Sequence, residues 1–510
     1  MLRGTRVWKA NAIVFVGGAC TMIIELVAGR ILAPYVGVSL YTWTSIIGVV
    51  LAGISLGNYL GGKAADRFAS SLALGVIFFV AGLTTIGILP ATAFFGGNPL
   101  PGTMHIMDRI VIYTFVTFFR PACILGMVTP MVIKLTLRDL GETGGVVGTI
   151  YAYSCTGSIV GTFATGFFLV SWFGTRTIIW VVAAVLLALG ILAGASWRSP
   201  GKWFMVVAVL SLFSLGFSWR DSWQAPCLKE SNYFCIKVDD TAVEERTVKA
   251  LSLDHLVHSY VALDDPLFLG YEYERIFAEI TQYATQERNP MRALFLGGGG
   301  YTLPRYMEIV YPGSQVDVVE IDPAVTRVAY EELGLPSDTK VRTYNQDARI
   351  FLIDGGSGHK YHIVIGDCFN DLSVPYHLTT LEFNEMVKRV LEDDGIYMAN
   401  IIDDYQGGQF LRAYMNTLKR TYRHVYLFGA GKAWEGTAPS TYIVAASDRS
   451  IDMDEFKRVA GEGGKKSIVG ALLEQDELEQ YLAQNPTLLT DDYAPVDNMI
   501  APLFARQQGS

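Results

Sequence analysis

"RALFLGGGGYTLPRY", Arg292 to Tyr306, reads as a short strand, a glycine turn and the start of a helix. The apolar run before the turn has the length of a buried strand. Gly297, Gly298, Gly299 and Gly300 let the backbone turn sharply and come close to a ligand. A strand, glycine turn and helix in this order commonly grip a nucleotide-like cofactor. The glycine spacing is not G-x-G-x-x-G, because Leu303 stands where the last glycine would fall.

Downstream of the turn, strands and helices alternate. "QVDVVEID" (315–322) is a second strand ending in two acids, and "PAVTRVAYEEL" (323–333) is a helix. "VRTYNQDARIFL" (341–352) gives a strand, Asp347 at its end, and a helix. "YHIVIGDCF" (361–369) is a fourth strand, "TTLEFNEMVKRVL" (379–391) a helix and "GIYMANI" (395–401) a further strand. This alternation predicts a parallel doubly wound sheet with ligands at the carboxyl ends of its strands. Three acids stand there. Glu320, at the end of the second strand, has the chemistry to accept two hydrogen bonds from ribose hydroxyls. Asp347 ends the third strand, where an adenine amino group could be held. Asp367 ends the fourth, within reach of a reacting centre.

Upstream of the turn, short β-rich segments run from "ESNYFCIKV" to "KALSLDHLVHSYV", with "DDTAVEER" (239–246) read as the turn between two strands. A helix follows around "YEYERIFAEITQYAT" (271–285). Further upstream the composition changes. Of the 510 residues, 51% are hydrophobic and 17% charged, and the charge deficit falls on the first 220 residues. Seven apolar runs there approach the length of a bilayer crossing, near 10–34, 41–62, 70–95, 108–135, 145–170, 175–196 and 202–218. The expected organisation is an α-helical transmembrane bundle (1–220), a small β subdomain (225–265) and a Rossmann-like α/β domain (266–510).

Gly53, Gly57 and Gly61, and Gly157 and Gly161, have the spacing that lets helix backbones pack closely. Glu25 and Arg30 fall inside an apolar run, where a structural ion pair is expected, and Arg120-Pro121 marks a kink. Arg3, Arg6 and Lys9 place the N-terminus in the cytoplasm of a multi-pass inner-membrane protein. Seven crossings would then put the C-terminal half outside, and an even number would keep it inside. Cys227 and Cys235 either pair in an oxidising compartment or are unrelated thiols. The net charge of -9, with no cluster of Lys and Arg, argues against nucleic acid as a partner. No Cys/His spacing indicates a metal site.

The segments "ESNYFCIKV", "LSLDHLVHSY", "YEYERIFAEI", "ALFLGGGGYTLPRY", "VDVVEIDPAV", "NQDARIFL" and "VIGDCFN" fall in the order seen in spermidine synthases. The resemblance covers about 230–420, and the apolar half is similar to that of bacterial proteins in which such a domain is fused to membrane helices. It implies a β subdomain followed by a methyltransferase-like Rossmann sheet. It also implies decarboxylated S-adenosylmethionine as donor and a diamine such as putrescine as acceptor. By resemblance, Gly297 to Gly300, Glu320 and Asp347 bind the donor, and Asp367 is the general base. His258, Tyr271, Tyr273, Glu274, Asn370 and Tyr376 face the acceptor. The chain departs from the pattern at three positions. Gly300 stands where an Asp usually binds the donor's ammonium, His258 replaces a Gln, and Asn370 replaces the second of two aspartates. These departures keep S-adenosylmethionine open as donor, with a methyltransferase acting on an amine or lipid as one alternative and a polyamine or nucleoside transporter or sensor as another. A lipid bilayer, a small-molecule amine and a second copy of the chain in a homodimer are the partners carried forward.

Overall fold

The computed structural model describes residues 2–98, 100–101, 104–137, 139–193, 227–285, 290–368, 374–430, 434, 439–461 and 470–506. The chain divides into two compact units, Met1–Cys235 and Ile236–Ser510.

The first unit is helical. Six helical stretches are long and apolar enough to cross a membrane: Val7–Val36, Leu40–Phe68, Ser71–Phe95, Met107–Thr136, Thr143–Trp172 and Thr175–Ala193. The seventh expected run, 202–218, lies outside the described residues. The four-residue glycine spacing marks close approach, as read from the sequence. A Cβ on Gly57 would meet the Cys123 carbonyl oxygen at 2.0 Å, and one on Gly157 the Phe15 carbonyl oxygen at 1.9 Å. Any side chain at either position would force the paired helices apart. At Arg120-Pro121 a π-helical turn, Phe115–Phe119, leads into the α-helix Arg120–Gly126, with the proline in that helix's first turn, where its missing N–H costs least. Arg30 reaches out of its helix to donate to the carbonyl oxygens of Ser231 and Asn232. Cys227 and Cys235 are joined in a disulfide, which decides between the two readings of that pair. A two-residue strand, β1 (Lys229–Glu230), lies between them.

The second unit opens with β2 (Cys235–Val243), β3 (Arg246–Leu253) and β4 (Leu256–Val261), successive antiparallel strands. The turn expected over Asp239–Arg246 is shorter than the sequence suggests. Asp239 to Val243 continue β2, and only Glu244 and Glu245 turn, both at positive φ. The exposed strand tolerates its acids because Asp240 pairs with Lys249 at 2.8 Å across the ladder, and Glu244 with Arg275 at 2.7 Å.

After the helix Glu272–Thr285 comes a large sheet. Its strands are β5 (Arg292–Leu296), β6 (Gln315–Val319), β7 (Arg342–Tyr344), β8 (Tyr361–Gly366), β9 (Leu391–Asp403), β10 (His424–Ala430), β11 (Ser440–Ser447) and β12 (Gly470–Leu472). They lie in the order β12-β10-β11-β9-β8-β5-β6-β7. β7, β6, β5, β8 and β9 are parallel, as the alternation predicts. β11, β10 and β12, beyond the strands read from the sequence, add an antiparallel edge. In that edge β10 and β11, neighbours in sequence order, pair antiparallel from His424–Ser447 to Gly429–Tyr442. β5 has β6 on one side and β8 on the other, so the strand order reverses beside β5 and opens a crevice at its carboxyl end.

Candidate active site

The crevice collects the ends of four strands. β5 runs into the glycine turn, β6 into Glu320, β7 toward Asp347 and β8 into Asp367. Gly297 has φ +102°, and a Cβ there would meet the Asp367 carbonyl oxygen at 2.0 Å. Glycine is therefore required where β5 and β8 part. Gly300 is constrained from another direction. Its N–H donates to Ser259 Oγ at 2.9 Å, and a Cβ would stand 2.6 Å from that of Ser259. The carboxylate expected at this position in the resembling enzymes has no room while Ser259 holds the turn.

Glu320 is buried against the turn. Its Oε2 accepts the N–H of Gly298 at 2.9 Å and of Gly299 at 3.3 Å, and its Oε1 accepts the N–H of Asp322 at 2.9 Å. Burial raises its pKa, while these three backbone donors oppose the rise. Asp347 is the N-cap of helix Ala348–Ile353, accepting from the N–H of Arg349 and of Ile350. Its other oxygen lies 2.9 Å from Nε2 of His377. That hydrogen bond is the main reason its pKa is lowered, against some desolvation.

A cavity of about 190 Å³ opens beside the turn, with His258, Ser259, Tyr271, Tyr273, Glu274, Gly297, Gly298, Gly299, Asp367 and Asn400 in its wall. Asp367 is held from two sides: its Oδ1 accepts from Asn400 Nδ2 at 3.0 Å and its Oδ2 from the Tyr273 hydroxyl at 3.2 Å. Burial nevertheless raises its pKa. Glu274 is buried 4% exposed, and burial pushes its carboxyl up to about 8 although the N–H of Tyr271 donates to it. Tyr271 anchors the helix start by donating to the Val257 carbonyl oxygen at 2.7 Å. The rings of Tyr271 and Tyr273 stack at 5.2 Å.

The structure thus brings His258, Tyr271, Tyr273, Glu274 and Asp367 to one cavity beside three of the glycines. Glu320 and Asp347 lie at neighbouring strand ends outside that wall. Tyr376 is exposed, with its ring against His377. Asn370 lies outside the described residues. Three participants carried no clear signal in the sequence. Asn400 sits at the inner end of an apolar strand and looks like any strand polar residue. Ser259 meets the turn only through the fold. Asp491, from the acidic stretch near the C-terminus, pairs with Arg349 and accepts from Thr380 Oγ1 at 2.8 Å. Arg349 in turn donates to the His377 carbonyl oxygen at 3.0 Å, which fixes the wall behind Asp347.

Residues 272–426 match the spermine/spermidine synthase domain family. That segment is similar to a spermidine synthase domain. Among similar proteins, the polyamine aminopropyltransferase of Vibrio vulnificus is 36% identical over 112 residues, 22% of this chain and 38% of that one. The probable polyamine aminopropyl transferase of Bifidobacterium longum is 26% identical over 296 residues, 52% of this chain and 60% of that one. The chain therefore spans less than two thirds of either relative. A probable spermidine synthase structure from Corynebacterium glutamicum aligns with 22% identity and a TM-score of 0.44, over 52% of this chain and 95% of that one. Both relatives are named as aminopropyltransferases, and the matched segment of this chain begins at the helix that carries Tyr273 and Glu274 and includes Glu320, Asp347 and Asp367.

Proposed function

We propose that the synthase domain transfers an aminopropyl group from decarboxylated S-adenosylmethionine to a diamine such as putrescine, and that the helical unit holds it at a bilayer. The observation that supports this best is the cluster at the end of β8. One carboxylate, Asp367, is aimed into a cavity with two tyrosines and a second carboxylate, directly beside the glycine turn. Gly297 to Gly299 and Glu320 would take the donor's ribose, with the Glu320 carboxylate exchanging its turn N–H partners for ribose hydroxyls. Asp347 and His377 would meet the adenine edge.

The reaction needs a neutral amine. Asp367 accepts a proton from the bound ammonium, and a raised pKa brings the carboxylate closer to the amine it must deprotonate. The freed lone pair attacks the propyl carbon next to the sulfonium. The C–S bond breaks, its electron pair stays on sulfur, and a neutral thioether nucleoside leaves. Tyr273 and Asn400 orient Asp367 for this step, and Tyr271 and Glu274 offer an aromatic and acidic wall to a cationic acceptor.

One feature favours a second reading, transfer of a methyl group from S-adenosylmethionine. Gly300 leaves the donor's ammonium without its usual anchor, and Ser259 fills the space. Mass spectrometry of products formed by the purified protein, with each donor offered alone alongside putrescine, separates the two. An amine heavier by one aminopropyl unit supports the first reading. An amine heavier by one methylene, formed only from S-adenosylmethionine, replaces it with the second.

A further inference from the structure

We infer that the synthase domain stands on the extracytoplasmic side of the membrane, so that its site draws on the donor and amine present there. The sidedness stands on the helical unit alone, while the assignment of the pool as donor and amine rests on the function proposed above.

The six apolar helices alternate, which gives the bundle two ends. One end carries Lys63, Arg67 and Lys134, with Lys9 in the first turn of the first span; in the sequence Arg3 and Arg6 precede that span, Arg138 follows the fourth and Arg198 and Lys202 follow the sixth. Lys134 and Asp66 meet there at 2.9 Å, which ties the ends of the second and fourth helices together. The other end has the connections 37–39, 96–106 and 173–174, none of which contains Lys or Arg, and the helix ends beside them add Arg30, Arg109 and Arg176, fewer than the first end carries. The excess of positive charge marks the first end as cytoplasmic.

The chain's exit is fixed at the second end. Thr175, the first residue of the sixth helix, donates through its N–H and hydroxyl to the Glu230 carboxylate at 2.6 and 2.7 Å. Arg30, in the last two turns of the first helix, donates to the carbonyl oxygens of Ser231 and Asn232. Both contacts lie inside the first unit. The sixth helix ends at Ala193, whereas residues 230–232 are bound at the end where that helix begins, on the side away from the cytoplasmic charges. No helix among the described residues of the second unit is long and apolar enough to cross again.

The disulfide between Cys227 and Cys235 is an independent sign. It closes the segment on which the exit contacts lie, and such bonds persist in oxidising compartments and are rare in the cytosol. A sulfonium donor and an ammonium acceptor are both cations, which an apolar bilayer excludes. A carrier or an external source must therefore supply the donor.

The test uses the full-length protein in intact spheroplasts and a membrane-impermeant maleimide. Ser337→Cys reports an exposed site of the second unit, and Ala69→Cys reports the connection between the second and third helices. Labelling above the parent is expected at Ser337→Cys before lysis, and at Ala69→Cys only after it. The reverse pattern, or labelling of Ser337→Cys only after lysis, overturns the assignment. A domain labelled from outside that forms no product with either donor counts against the proposed reaction and supports the sidedness.

Discussion

Replacing Asp367 by Asn isolates the proton-transfer step. The amide keeps the shape of the carboxylate, so Asn400 still finds an acceptor at 3.0 Å and Tyr273 a partner at 3.2 Å. What is lost is a group that takes up a proton. General-base catalysis by a positioned side chain is worth about 10²–10⁴ in rate, or about 3 to 5 kcal/mol in the barrier at tenfold per 1.36 kcal/mol. The variant should therefore lose that much in kcat with either donor. Donor affinity, read by calorimetric titration with a non-reacting thioether nucleoside, should change by less than about threefold, since the ribose and adenine positions lie at other strand ends. Stability should not fall, because burial already raises the pKa of Asp367 and so disfavours its charged form in the folded protein. A kcat loss under tenfold, or equal losses in kcat and in donor affinity, would refute the general-base reasoning.

Glu320→Ala should weaken binding of the nucleoside by at least about tenfold, given about 1.5–3 kcal/mol for each hydrogen bond to a charged group; a calorimetric titration with unchanged affinity rejects the role. Glu274 has a folded pKa near 8 against an unfolded value of 4.5, so its protonation stabilises the fold fully below about pH 4.5, and that contribution is lost as pH rises through about 8. The Tm difference between Glu274→Gln and the parent should accordingly grow in the variant's favour across that window, and a constant difference would contradict the burial argument. Asp491→Ala should loosen the Arg349–His377 bracket and raise the nucleoside Kd by a few-fold, with no further loss in the Asp491→Ala, Arg349→Ala double variant; additive losses would show that the pair does not act as a unit.

The parallel half of the sheet was legible because β5, β6 and β8 are short apolar runs that lead into a glycine or an acid, and the ends of such strands are where ligands bind. The helix carrying Tyr273 and Glu274 was legible from its pattern, but not the reason Glu274 is buried, which depends on the packing of its N-terminal turn against the glycine turn's surroundings. The antiparallel edge was not read, since a strand's direction depends on what connects it. The Glu244–Glu245 turn was misplaced because five strand residues, Asp239 to Val243, open with a pair of acids, and their support from Lys249 lies across the ladder. Asn400, Ser259 and Asp491 acquire their roles only through contacts with residues 33, 41 and 142 positions away. No local pattern encodes such a contact.

The glycine turn and Glu320 are proposed to hold the donor nucleoside, and a structure with a thioether nucleoside bound tests this most directly. The account predicts the ribose hydroxyls within hydrogen-bonding distance of the Glu320 carboxylate, and the sulfur facing the cavity that holds Asp367. A nucleoside bound elsewhere, or one in the crevice with Glu320 still occupied only by the N–H groups of Gly298, Gly299 and Asp322, would contradict it.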